Sequence, residues 1–425
     1  MNNKRILELG KTLLIVLLTC SAVWLAVQSP LFGQLPGERD GEGAEQPILS
    51  GTAVESDSAA VPLRIAVISE GGFFAVQYTD QQMQELFGQV THVLGEALAD
   101  AQEPLAVEQE QWRSALVTAP GIFLDFRTEI PLSVLNRWTS DRVNPRLPAF
   151  ARYVVLSGGE DGVELYFHSE LDGSFFLCRV PSVNAESLKT IAAQTEPNGA
   201  IFAYQSDHYH MVSDYTLIDA QTPSPRDFAV SNPLEQGEGR LEELLERLSF
   251  PVGITTVYDT PEGRRARSGN DTLTISDDGT VIYDGQEVRY PVEKDDSRLT
   301  AAVDGAWELV RGVLEPWCGQ ARLYLSGVEN LGQDRWRVSF GYVLDNVPVY
   351  VGEGGYAARV LVENASVRQM ELRLRSFAPM DSTTMLLPTR QAAAILAENG
   401  QQGKSLELYY REAGGVLRAG WKAGT

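Results

Sequence analysis

The sequence predicts an α+β protein, with a single N-terminal transmembrane helix followed by extracytoplasmic domains of antiparallel sheets with packed helices. Three observations carry that expectation. An uncharged, largely apolar stretch runs from Thr12 to Gly37, behind Lys4, Arg5 and Lys11. Between Asp80 and Ala101 the apolar residues recur at the three- and four-residue spacing of a helix. Much of the remainder divides into strand-like segments joined by short Gly and Asp turns, which is how antiparallel neighbours are connected.

A chain of 425 residues that is 44% hydrophobic and 22% charged can bury sizeable cores, so a disordered polymer or a coiled-coil rod is excluded. The net charge of -22, from 35 Lys+Arg against 57 Asp+Glu, repels polyphosphate, and no nucleic-acid partner is expected. Three cysteines and four histidines offer little for a four-ligand site, so neither a metal nor a cofactor is expected.

Taken in order, residues 1–33 read as a cytoplasmic tail and transmembrane anchor. The apolar heart extends from Leu13 to Val27, and roughly 20 helical residues at ~1.5 Å each cross a hydrocarbon core of about 30 Å. Residues 12–28 would contact the lipid bilayer. Cations precede the stretch, while Glu38 and Asp40 follow it. This asymmetry puts the N-terminus in the cytoplasm and the rest outside a single-pass cell-membrane protein. A cleaved signal peptide is the competing reading, although Leu25, Val27 and Gln28 around Ala26 leave no clean small-residue cleavage site. Leu17-Leu18-Thr19-Cys20 is lipoprotein-like, but Thr19 stands where a smaller residue is expected. Ala22 and Ala26 form a small-xxx-small pair, the expected partner-binding face of the helix.

Residues 34–62, rich in Gly, Pro, Glu and Ser, read as a disordered linker. An N-terminal α+β ectodomain follows over 63–235. Its expected strands are Leu63 to Ile68, Phe73 to Tyr78, Gly121 to Phe126, Tyr153 to Ser157, Val163 to His168, Ser174 to Val180 and Ala200 to Tyr204. Helices are expected at Asp80 to Ala101 and Ala185 to Gln194, and residues 221–240, with Pro223, Pro225 and Pro233, read as a connection. A middle α+β segment over 236–295 has a helix near Leu241 to Leu248 and strands at Thr255 to Asp259, Asp271 to Ile275 and Thr280 to Tyr283.

The C-terminal α+β domain, 296–425, opens with a helix whose apolar face includes Leu299, Val303, Ala306, Val310 and Leu314. Trp336, Val338, Phe340 and Tyr342 alternate with polar residues, as do Met370, Leu372 and Leu374, so each sheet should have one wet face. Asp345-Asn346 supplies a tight turn, Pro388 opens a short helix, and Leu406 to Tyr410 closes the fold.

No catalytic residue can be singled out. Asp207-His208-Tyr209-His210 with Asp214 is the best metal candidate, because imidazoles two apart on a strand share a side, but a solvated loop explains it as well. His92 and His168 read as surface residues. Asp277-Asp278-Gly279 reads as a hairpin turn because it lacks the ligand pattern of a calcium loop, and Gly352-Glu353-Gly354-Gly355 reads as a loop rather than a phosphate cradle. Cys178 and Cys318 could pair outside the cell. Arg264, Arg265 and Arg267 could meet an acidic partner or could simply form a solvated hairpin tip.

Several stretches carry a family resemblance. They are Tyr258 to Tyr283, with Leu273-Thr274-Ile275 and Asp278-Gly279-Thr280-Val281-Ile282-Tyr283; Val338 to Tyr342; Asn346-Val347-Pro348-Val349-Tyr350; Leu386-Leu387-Pro388 with Gln391-Ala392; Leu406 to Tyr410; and Trp421. Trp112 and Ile130-Pro131 add fainter matches. Together they resemble the YycH/YycI group of membrane-anchored regulators, whose C-terminal part is related to PepSY-like domains. The resemblance implies a non-enzymatic regulator of a two-component sensor histidine kinase, WalK-like, in cell-wall homeostasis, with a second YycH/YycI-like subunit as a further partner. These are packing and turn patterns, so they transfer no active-site residue. The alternative is an extracytoplasmic binding or inhibitor module for a protease or cell-wall ligand, merely tethered by the span.

Overall fold

A computed structural model describes residues 59–159, 161–171, 173–237, 239–251, 253–293 and 297–424. The expected span, with Ala22 and Ala26, lies outside the described residues. Among those described, no helix is long and apolar enough to cross a membrane. The described chain is buried from its start, at Ala59, Ala60 and Val61, ahead of the Leu63 start suggested by composition.

The first layer is a seven-stranded antiparallel sheet. It comprises β1 (Arg64–Ser69), β2 (Gly72–Val76), β3 (Leu105–Val107), β4 (Gly121–Pro131), β5 (Phe150–Gly159), β6 (Gly162–His168) and β7 (Phe175–Val180), ordered β2-β1-β4-β5-β6-β7-β3. Helix α1 (Asp80–Asp100) buries Met83, Leu86, Phe87, Val90, Val93, Leu94, Ala97 and Leu98, the stripe that its periodicity predicts. Short helices α2 (Gln109–Ala115) and α3 (Leu132–Ser140) were not foreseen; α4 (Glu186–Ala193) was. Gly95 lets α1 lie tightly on α3, since a Cβ there would come within 2.6 Å of the Thr139 carbonyl oxygen.

This sheet has no wet face at its centre. Ile65, Leu124, Val154 and Leu156 point into one core, while Ala66, Phe123, Tyr153 and Val155 point into a second. The second is aromatic: Phe123 stacks on Tyr153 with centroids 5.7 Å apart, and Phe202 meets Phe123 edge-on at 5.0 Å. The expected strand at Ala200 to Tyr204 is shorter, with only β8 (Ile201–Phe202) pairing β9 (Leu217–Ile218) before the chain turns into a 3-10 helix.

The second layer has thirteen strands. From the chain before the C-terminal helix come β10 (Arg226–Ser231), β11 (Thr256–Thr260), β12 (Gly263–Ser268), β13 (Asp271–Ser276) and β14 (Thr280–Asp284). Helix α5 (Arg240–Arg247) lies between the first two of these strands, and α6 (Arg298–Leu314) follows the last. After α6 come β15 (Arg322–Gly332), β16 (Arg335–Leu344), β17 (Val347–Tyr350), β18 (Ala358–Glu363), β19 (Ser366–Arg373), β20 (Ser376–Thr383), helix α7 (Thr389–Glu398), β21 (Leu406–Ala413) and β22 (Val416–Ala423). The order is β11-β12-β13-β14-β19-β18-β16-β17-β21-β22-β10-β20, with β15 on the other edge of β16.

One stretch that reads as a connection is therefore a strand. β10 lies between β22 and β20, its prolines flanking rather than interrupting the paired residues. Helix α6 covers one face of this sheet through Val303, Ala306, Trp307 and Val310. The opposite face, with Arg337, Leu361, Gln369 and Ile282 in neighbouring strands, remains at least partly open, as the alternation predicts. One apolar cluster continues from Ile65 and Leu124 through Leu135 and Trp138 to Trp307 and Phe340, so the two layers share a core.

Candidate functional site

The residues singled out for chemistry remain apart. His208 lies in a 3-10 turn rather than on a strand, and His210 follows it; both are exposed, and Asp214 is paired with Arg113. Among the described residues no group of three or more His, Cys, Asp or Glu could hold a metal. His92 is exposed, beside Glu96 at 3.6 Å. His168 is not a surface residue. It is 6% exposed, with its ring nearly parallel to those of Tyr153 and Phe175, because it ends β6 on the aromatic side of the sheet.

Cys178 and Cys318 are free and buried, and burial pushes both thiols up to about 12. Asp277 and Asp278 form the turn between β13 and β14, with Gly279 at φ +82°, and Gly352 to Gly355 lie in the loop between β17 and β18. The Arg264, Arg265 and Arg267 cluster is a strand, β12, not a hairpin tip.

What the chain does bring together is a buried ionic junction between the two sheets. Asp125, in the middle of β4, is fully buried. Its carboxylate accepts from Arg64 at 3.2 Å, from Arg152 Nε at 3.1 Å and from the backbone N–H of Arg127 at 2.7 Å. That last bond steadies a non-glycine residue at φ +61°, where the β4 register against β5 breaks.

From the first sheet, three guanidiniums reach β21 and its approach in the second. Arg64 donates to the Leu406 carbonyl at 2.8 Å, Arg127 to the Leu408 carbonyl at 2.9 Å, and Arg152 to Glu407 at 3.0 Å and Ser405 Oγ at 3.2 Å. Arg152 also pairs with Glu170 at 2.8 Å. Asp125 and Glu407, with the exposed Glu170 at the margin, thus face Arg64, Arg127 and Arg152, so the buried cations are offset by carboxylates.

The electrostatics follow from that geometry. Burial alone would raise the Glu407 carboxyl, but Arg127, Arg152 and Arg64 outweigh it and hold it at about 2. Burial and the neighbouring Arg64 push Arg127 below its ordinary value. Arg64 remains raised because Asp125, Tyr78 and Glu407 together overcome burial.

Two further side-chain contacts join the parts of the fold that carry the two sheets. The Asn346 amide donates to the Leu63 carbonyl at 2.7 Å and the Gln77 carbonyl at 2.9 Å, while Trp138 Nε1 donates to Asp304 at 2.7 Å. The arrangement holds two sheets in one relation. The sequence carries a signal for it that the motif search does not use: Arg64 and Arg152 are each the lone charge of an apolar strand, and Asp125 breaks the apolar run from Ile122 to Phe126.

No protein-family model matches the chain, and no curated protein matches it. Among solved structures, the crystal structure of YycH from Bacillus subtilis is similar, with a TM-score of 0.54 at 12% identity. The likeness covers 86% of this chain and 93% of that one. The chain thus has a YycH-like fold.

Proposed function

We propose that this protein is a non-enzymatic, membrane-anchored extracytoplasmic regulator of a two-component sensor histidine kinase in cell-wall homeostasis. The observation that carries the reading is the YycH-like fold, which extends over 86% of the chain rather than over one module. The uncharged stretch from Thr12 to Gly37 supports it by offering a helix, with Ala22 and Ala26 on one side, for kinase transmembrane helices to contact. The shared core and ionic junction, which tie the two sheets together, are what a coupling element needs. The region from 296 onward is the PepSY-like part in this reading.

Regulation requires that the protein bind one kinase state more tightly than the other, since equal affinity for both shifts nothing. The test replaces residues 12–28 with polyleucine in the full-length chain and measures kinase output in cells. Loss of regulation with the ectodomain still folded is expected. Unchanged output overturns the reading, and full activity of a released chain from residue 38 onward would favour a tethered binding module instead.

A further inference from the structure

Strand β11 ends the large sheet, with no described strand beyond it. Residues Thr256 to Asp259 are exposed, and every second residue of an edge strand turns its N–H and C=O outward. Exposed edges are commonly blunted by lysine, proline or a bulge. β11 has none of these within it. Its register with β12 is unbroken from Thr256 to Thr260, and Val257 and Tyr258 are 40% and 44% exposed. Its one charge, Asp259, has Arg264 beside it at 3.7 Å.

Across from Tyr258 and Thr256 stand Arg265 and Arg267, so these four residues share a face. Both arginines are exposed, and neither has an acidic partner among the described residues. Their neighbours inward on β13 are Thr274 and Thr272. Arg267 donates only to the Gly269 carbonyl, at 3.1 Å, so a chain of net charge -22 places two cations without a described carboxylate partner beside its open edge.

We infer that β11 receives an added strand from a partner protein: an extended segment with acidic side chains at alternate positions. Such a strand would lie about 4.8 Å beyond β11 and pair with its outward main-chain groups. Its acidic side chains would share the face of Tyr258. Arg265 and Arg267 would then stand two strands away, about 10 Å, a gap that an arginine and a glutamate together span. The other face offers Val257 to apolar residues of the same segment. A second copy fits poorly, because edge-to-edge pairing would gather both arginine pairs at one seam between two strongly acidic bodies. The inference goes beyond the regulator reading, and its test does not involve the span.

The experiment measures fluorescence anisotropy of two labelled peptides, one alternating Val and Glu and one alternating Val and Lys, with the full-length protein in detergent at low salt. The Glu peptide should bind and the Lys peptide should not. The double variant R265E/R267E should weaken Glu-peptide binding at least about tenfold and bind the Lys peptide instead. Val257→Pro, which removes an edge N–H, should abolish binding of either peptide. Thermal melting confirms that each variant is folded, and the exposed arginine pair supplies the answer if Val257→Pro is not. Equal binding of both peptides, indifference to the arginine reversal, or a concentration-dependent dimer that Val257→Pro dissolves would each overturn the proposal.

Discussion

The first sheet and the outer meander β11–β14 treat charge in opposite ways. Arg64, Asp125 and Arg152 are almost wholly inaccessible and committed to one another and to β21, whereas Arg265 and Arg267 face solvent beside an open edge. The same residue type is structural in one place and available in the other. What differs is how many layers cover the strand: β4 and β5 have a core on each side, whereas β12, which carries the arginine pair, has one only on the side of Ala266.

The largest expected contrast comes from Asp125→Ala. Removing a carboxylate that serves Arg64, Arg152 and the Arg127 N–H strands buried cations and should cost about 3–5 kcal/mol in denaturant unfolding. R265E/R267E should stay within about 0.5 kcal/mol of the parent. A similar cost for both would break the comparison.

Next in size is the pH dependence set by Glu407. Its folded pKa, about 2, lies below the ordinary 4.5, so the unfolded chain binds more protons between those values. The stabilisation is fully present above about pH 4.5 and is lost as pH falls towards 2. At ~1.4 kcal/mol per pH unit it amounts to about 3 kcal/mol. Glu407→Gln should flatten the stability profile across that window, and a profile as steep as the parent's would refute the assignment.

Asn346→Gly sharpens the comparison further. Asn346 has φ +60°, which glycine tolerates, so the substitution removes its side-chain hydrogen bonds to Leu63, Gln77 and Arg322 without backbone strain; about 1–3 kcal/mol should be lost in thermal or chemical melts. Ile282→Ser, on the open face of the meander, should change stability by no more than about 0.5 kcal/mol by the same measurement. A cost comparable to that of Asn346→Gly would mean that this face is covered.

Legibility followed range along the chain. Helix α1 could be read because its stripe from Met83 to Leu98 repeats locally, and β6 and β14 because short turns bound them. Helix α3, Leu-Ser-Val-Leu-Asn-Arg-Trp-Thr-Ser, was missed because nine residues with several weak helix formers show too little period. It is held by tertiary packing instead, with Trp138 against Trp307 at 6.2 Å. β10 was hidden by prolines that end beside it. β15 and β22 alternate weakly, and each is defined by its partner, β16 or β21.

By itself, the sequence determined the α+β class, the order of most helices and strands, and local chemistry such as the Asp345-Asn346 turn, both residues of which take positive φ. Such features depend on interactions within a few residues, where side-chain period and backbone sterics suffice. Only the tertiary structure decided that the first sheet is covered on both faces, that Arg152 meets Glu407, and that Asn346 fastens the residue before β1 and the residue after β2 to the second sheet. Those pairings join residues hundreds of positions apart. Their stability comes from water excluded by both layers at once, a quantity that no single segment encodes.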